Sequence, residues 1–274
     1  MIDSPVGFDP AELDTLLAGI RDRYGYDFRE YAPASLARRI RSQMGTDPLP
    51  ALSDRLLQDP EAFGRFLDEL AVHSTSMFRD PGFWRSLRAN VLPHLATWPF
   101  IRIWCVGCST GEEAWSLAIL LEEEGLLARS RIYATDLSER VLERARRGVF
   151  PLSAMKEYTE NYLASRGTRA FSDYYSAGYD KAIFRGDLVR QAVFAQHNLA
   201  TDGAFQEFHL VLCRNVLIYF GASLSERVHR LLFESLAFTG VLALGLRETI
   251  ERTPLADRYD PLDAGQRIYR KARP

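Results

Sequence analysis

Between Gly107 and Glu113 the chain reads Gly-Cys-Ser-Thr-Gly-Glu-Glu, at the point where the apolar run "IRIWCV" gives way to the helical pattern "EEAWSLAILLEEEG". Glycines let a backbone bend tightly and approach a ligand. The spacing is G-x-x-x-G, not the G-x-G-x-x-G of dinucleotide-binding turns, and Glu112 and Glu113 would repel a pyrophosphate at the helix N-terminus. The turn therefore argues against a nicotinamide dinucleotide and for a ligand that carries positive charge. The same carboxylates would also complement the helix dipole.

A second apolar run, "RIYATD", ends in Thr135-Asp136. An acidic residue on the order of twenty positions beyond the glycine turn is the usual partner of a ribose diol. Asp136 would equally serve the helix that Ser138 begins. A ribose together with a positive charge points to S-adenosyl-L-methionine, with S-adenosyl-L-homocysteine as the product left behind.

Cys105 and Cys108 form a C-x-x-C, which raises a redox pair or half a zinc site. Only one further cysteine, Cys213, is present among 274 residues, and no clustered histidines complete a metal set. Cys105 falls within the expected strand, so two small residues in a strand and its turn is the simpler reading.

Alternating elements must position these residues. Composition is that of a soluble globular chain, 47% hydrophobic and 26% charged, and a formal net charge of −2 leaves no global basic footprint for nucleic acid. No apolar run reaches the roughly 18 residues of a membrane helix, and "MIDSPVGFDP" lacks a signal pattern. A cytoplasmic protein is expected. Residues 1–72 read as a helical domain, with Leu13, Leu16, Leu17 and Ile20 at helical spacing and "ASLARRIRSQMG" ending at Gly45. Residues 73–98 read as a hinge and linker helix, with Asp80-Pro81 as its start and Pro93 near its end. Residues 99–274 alternate strands and helices, which predicts a mostly parallel sheet covered by helices. "AVFAQHNL", "FHLVLCRN", "VLALG" and "QRIYRKA" are further strand candidates, and "SLSERVHRLLFESLAF" a further helix. Residues 151–190, rich in Tyr, Gly, Asp and Ser, read as an insertion of short β pieces.

The segments "WCVGCSTGEEAWSLAILL", "IYATDLSERVLERARRGVF", "VLCRNVLIYF" and "QRIYRK", with the "MFRD" hinge, make the chain similar to the chemoreceptor glutamate methyltransferase (CheR) family. The resemblance covers almost the whole chain. It implies an α/β protein: a Rossmann-like class I methyltransferase sheet with an N-terminal all-helical domain and a small inserted β subdomain. It implies methyl transfer from S-adenosyl-L-methionine to glutamate carboxylates of chemoreceptors, giving methyl esters. By the same resemblance, cofactor contacts fall on Thr75, Arg79, Glu113, Asp136, Asn198, Leu199, Arg214 and Asn215, and on His73, where the family usually has Asn. The usual Pro-Gly-Gly turn is here Thr-Gly-Val at Gly240, and the usual Ser-Glu is Arg247-Glu248.

A glutamate carboxylate is ionised at neutral pH and needs no general base to act as nucleophile. Orientation and exclusion of water are expected to supply most of the acceleration. The resemblance puts Arg79 and Tyr219 beside the acceptor, where a guanidinium could hold it by paired hydrogen bonds and a phenol could donate another. Arg79 could instead pair with Asp80, and Tyr219 could be a half-buried aromatic. "SLARRIRSQM" carries Arg38, Arg39 and Arg41, either a solvated basic face or a docking surface for acidic receptor helices. Another carboxylate acceptor, or a non-catalytic signalling scaffold, remains the alternative.

Overall fold

The computed structural model describes residues 8–70 and 75–272. Four helices come first: α1 (Pro10–Tyr24), α2 (Pro33–Met44), α3 (Leu49–Gln58) and α4 (Pro60–Leu70). Each has a proline in its first turn, where a missing N–H costs no intrahelical bond. Asp9 caps α1 by accepting from the Ala11 amide. Their apolar stripes meet in a core of their own, with Leu16, Ile20, Ile40, Leu52 and Phe66 fully buried. Each such side chain contributes roughly 1.5–3 kcal/mol by leaving water.

The linker helix begins at Pro81 as expected, but Asp80 does not cap it. Asp80 has left-handed backbone (φ 58) and no capping hydrogen bond from its side chain. The helix ends at Leu95, just past Pro93 as expected. α5 (Pro81–Ser86) passes through a π-turn, Leu87–Val91, into α6 (Leu92–Leu95). The wider turn just before Pro93 lets the helix continue past a residue that lacks an N–H and crowds the preceding turn.

The alternating region follows as β1 (Ile101–Val106), α7 (Glu112–Glu123), β2 (Ser130–Asp136), α8 (Glu139–Arg147), β3 (Val149–Pro151), α9 (Met155–Ala164), β4 (Tyr175–Gly178), β5 (Lys181–Phe184), β6 (Val193–Gln196), β7 (Phe208–Cys213), α10 (Ala222–Glu234), β8 (Leu236–Leu244), β9 (Tyr259–Asp263) and β10 (Ile268–Lys271). Seven strands form one sheet in the order β6-β2-β1-β7-β8-β10-β9. The pairs from β6 to β8 are parallel, and β10 is antiparallel to both its neighbours. The chain leaves β1 for β2 and β6 on one side, then returns to β7 and β8 on the other. The order therefore reverses between β1 and β7, and the crevice beyond their carboxyl ends is where such sheets bind ligands.

Two expectations need correction, and one strand went unexpected. The insertion is not only β: the helix α9 joins β3 to the rest of a second sheet, ordered β3-β5-β4. The α10 helix stops at Glu234, and "LAF" belongs to β8, whose Leu236 pairs with Phe208. The strand β9 carried no recognisable pattern. The insert is anchored on α7: Trp115 packs against Phe150 and Phe184, and Tyr174 and the Thr168 amide donate to Glu123.

Candidate active site

The crevice has two lobes. One is lined by Tyr31, Leu70, Asp136, His197, Asn198 and Leu199 among others. The other is lined by Thr75, Arg79, Cys108, Glu113 and Arg214 among others. Gly107, Ser109, Asn215 and Tyr219 line both, so the lobes form one cleft. Every described residue that the sequence placed at a cofactor or acceptor position is in this lining. His73 lies outside the described residues.

The floor is the turn after β1. Gly107 and Gly111 have φ of 63 and 97, in the left-handed region. A Cβ at Gly107 would stand 2.6 Å from Val216 Cγ2, and one at Gly111 2.9 Å from Ala145 Cβ. Any side chain at either position would be strained, and of the two only Gly107 lines the cleft. The next residue pair ties β1 to β2: Asp136 Oδ2 accepts from the Ser109 amide at 2.8 Å, and Oδ1 from the Ser138 amide at 3.3 Å. Ser138 itself caps α8 by accepting from Val141.

The two glutamates of the turn part company. Glu112 faces the insert, accepting from Thr110 at 2.7 Å and from the Tyr158 hydroxyl at 3.2 Å. Glu113 alone faces the cleft, 3.1 Å from Arg214 Nη1. Burial raises the Glu113 carboxyl above its ordinary range, and Arg214 opposes that shift. Arg214 also reaches Asp80 Oδ2 at 2.8 Å and the Arg79 carbonyl at 3.2 Å, and lies 3.9 Å over the Phe83 ring. The carboxylate of Asp80 is thus held by Arg214 and not spent on the helix end. A guanidinium so buried would be costly alone, and its two carboxylate partners offset that cost.

Glu248 organises the opposite wall. Its two oxygens accept from the amides of Gly245, Asn215, Val216 and Leu217 at 2.6–2.9 Å. This fixes Asn215 in left-handed backbone (φ 62) at the end of β7. The sequence marked Glu248 only as the second residue of the pair Arg247-Glu248, where the family usually has Ser-Glu. A lone acid after an apolar strand does not reveal that four amides converge on it.

The basic helix is corrected in one respect. Arg38 and Arg41 are exposed on α2, but Arg39 is buried, 5% exposed, so it is not a surface docking residue. At about 100° per residue, position 39 turns with Leu36 and Ile40 toward the interior while 38 and 41 face out. Burial lowers the Arg39 guanidinium below its ordinary range.

Cys105, Cys108 and Cys213 are free and buried, and burial pushes their thiols well above the usual value. Such thiols are inert. Among the described residues no three His, Cys, Asp or Glu side chains gather as a metal site. No helix among them is long and apolar enough to cross a membrane.

A cleft at the β1/β7 reversal, floored by a glycine turn and flanked by Glu113 and Asp136, belongs to a class I S-adenosylmethionine-dependent methyltransferase. Within that class the chain belongs to the CheR methyltransferase family: its residues 73–262 match the CheR SAM-binding domain and residues 11–71 the CheR all-alpha domain. It is 46% identical over 264 residues to a candidate methyltransferase of Pseudomonas putida, Cher3, covering 95% of this chain and 97% of that one. A chemotaxis protein methyltransferase of Listeria monocytogenes is 30% identical, over 82% of this chain and 85% of its own length. A 104.1 kDa protein of Rhodobacter capsulatus is 31% identical over 98% of this chain, which spans only 28% of that longer protein.

Proposed function

We propose that this methyltransferase acts on glutamate side-chain carboxylates of chemoreceptors, forming methyl esters in signalling adaptation from the cytoplasm. The observation that carries the reading is the position of Tyr219, which lines both lobes of the cleft beside Arg79, Glu113 and Asn215.

The cleft suits the cofactor. Ser109 Oγ is buried without a hydrogen-bond partner in the lining of both lobes, and Gly107 leaves open the space that a Cβ would fill. Asp136 would take the ribose hydroxyls, with Asn198 and Leu199 beside the adenine. Thr75, Arg79, Glu113, Arg214 and Asn215 would surround the methionine end. The bound cofactor supplies a methyl group on a positively charged sulfur. Glu113 gives that end of the cleft a negative charge, fixed in place by Arg214.

The acceptor carboxylate arrives ionised, so no side chain has to remove a proton. Arg79 would hold it by charge-assisted hydrogen bonds, and the Tyr219 hydroxyl would donate another. The protein then contributes alignment and exclusion of water. Exposed Arg38 and Arg41 on α2 would meet the acidic receptor helix and steer its approach.

The test is to incubate the protein with methyl-labelled S-adenosylmethionine and membranes from the cell that makes it. The expected result is base-labile label on receptor-sized bands, as methyl esters hydrolyse in base. Label that resists base, or that appears only on other molecules, would assign a different acceptor.

A further inference from the structure

Arg39 differs from the arginines beside it in what surrounds it. Its guanidinium carbon lies 4.5 Å from the centroid of the Tyr219 ring. Both of its Nη atoms are buried with no hydrogen-bond partner. A buried guanidinium normally recovers its lost hydration through carboxylates or carbonyls. Here the face of Tyr219 stands in that place, and a desolvated cation is attracted to the negative face of an aromatic ring.

The same tyrosine is gripped a second time by the helical unit. The Ala32 amide donates to the Tyr219 carbonyl at 2.9 Å, and the Gly221 amide donates to the Glu30 carbonyl at 2.8 Å. Between them, Tyr31 sets its ring edge-on to Phe220, with centroids 5.1 Å apart. The strap holds the Tyr219 backbone, and Arg39 holds its ring. The ring must be held separately, because a fixed backbone leaves χ1 and χ2 free to swing the hydroxyl.

We propose that Arg39 is a positioning residue for methyl transfer: stacked on Tyr219, it fixes the direction of the phenol hydroxyl toward the acceptor carboxylate and makes the helical unit part of the active site. This rests on the reading of Tyr219 as an acceptor-side group. Arg39 then sets turnover and leaves cofactor binding alone, which separates it from a residue that only supports the fold.

The experiment is a double-mutant cycle with labelled S-adenosylmethionine and receptor-bearing membranes, alongside calorimetric cofactor affinity and melting temperature. Arg39→Met should lower kcat about 3- to 30-fold, the range a cation–π contact supports, while cofactor Kd stays within about twofold. Arg39→Lys should recover part of the loss. In a Tyr219→Phe background, which lacks the hydroxyl to be aimed, Arg39→Met should change kcat by less than about twofold. If Arg39→Met unfolds, Arg39→Gln serves the same comparison. Wild-type kcat in a folded Arg39→Met or Arg39→Gln, or equal losses in both backgrounds, would overturn the proposal for Arg39 while the Tyr219 reading stands. An unchanged kcat in Tyr219→Phe alone would overturn both.

Discussion

The amide of Ala32 lies 2.9 Å from the carbonyl oxygen of Tyr219 and donates a hydrogen bond to it. The bond joins the helical unit to the loop after β7 at a residue that lines both lobes of the cleft. Gly221 completes the strap, and its glycine is required for space: a Cβ would stand 2.8 Å from the Glu30 carbonyl oxygen. Its backbone, at φ −70, is one that alanine adopts freely. Gly221→Ala should therefore act by pushing the strap away. It should cost about 1–3 kcal/mol in denaturant unfolding, as overpacking does, and lower kcat with it. Wild-type stability and turnover would mean that the strap yields at no cost.

Asp136 holds the turn after β1 through Ser109 and stands at the rim where a ribose would bind. A charge-assisted hydrogen bond contributes about 1.5–3 kcal/mol, so Asp136→Ala should weaken S-adenosylmethionine binding roughly 10- to 150-fold. Titration calorimetry checks this. Unchanged affinity would remove Asp136 from the ribose.

Burial raises the Glu113 carboxyl above its ordinary range, against the pull of Arg214. Burial makes the Glu113 carboxyl easier to protonate in the empty cleft, whereas a cationic ligand favours the ionised form. Binding should therefore release protons when the pH is near that raised pKa, and affinity should fall as pH drops through it. Calorimetry at successively lower pH, in buffers of different ionisation enthalpy, measures the release. Glu113→Gln should abolish it.

His229 on α10 is 4% exposed, and burial lowers its pKa from 6.5 to about 4. Folding therefore excludes the proton that the unfolded chain would take up. The associated stability is present above pH 6.5 and lost as pH falls toward 4, about 3 kcal/mol in all. Urea unfolding across this interval should show the loss, and His229→Leu should flatten it.

Reversal of the outward pair, Arg38→Glu with Arg41→Glu, should reduce kcat/KM for intact receptor membranes and leave cofactor affinity unchanged. The wild-type rate should fall as salt rises, because the Debye length is only about 8 Å at physiological ionic strength, and the reversed variant should show a flatter slope. An identical salt slope in both would remove this face from docking.

The glycine turn and Asp136 were legible because each follows an apolar run, and parallel strands deliver the residues after them to one edge, whereas Asn198-Leu199 and Arg214-Asn215 came from the family resemblance. The helix α9 and the strand β9 were not legible. The Leu152–Ala164 stretch mixes tyrosines with polar residues and owes its helix to contacts of Met155, Tyr158 and Tyr162 with the core. β9 contains Pro261, and Tyr259 is its one buried residue, so it lacks the apolar alternation that marks a strand.

By itself the sequence determined the alternation of strands and helices, the order in which acids and amides arrive at strand ends, and the acidic character of the turn at Glu112-Glu113. These are local properties of period and spacing. Only the tertiary structure decided which glutamate faces the cleft, because Tyr158 and Arg214 come from elements 46 and 101 residues away in the chain. It likewise decided that Asp80 serves Arg214, that Glu248 gathers four amides, and that Arg39 turns inward onto Tyr219 while Arg38 and Arg41 remain in water. Charge and helical spacing are shared by all three arginines, and burial against a distant ring is what separates them.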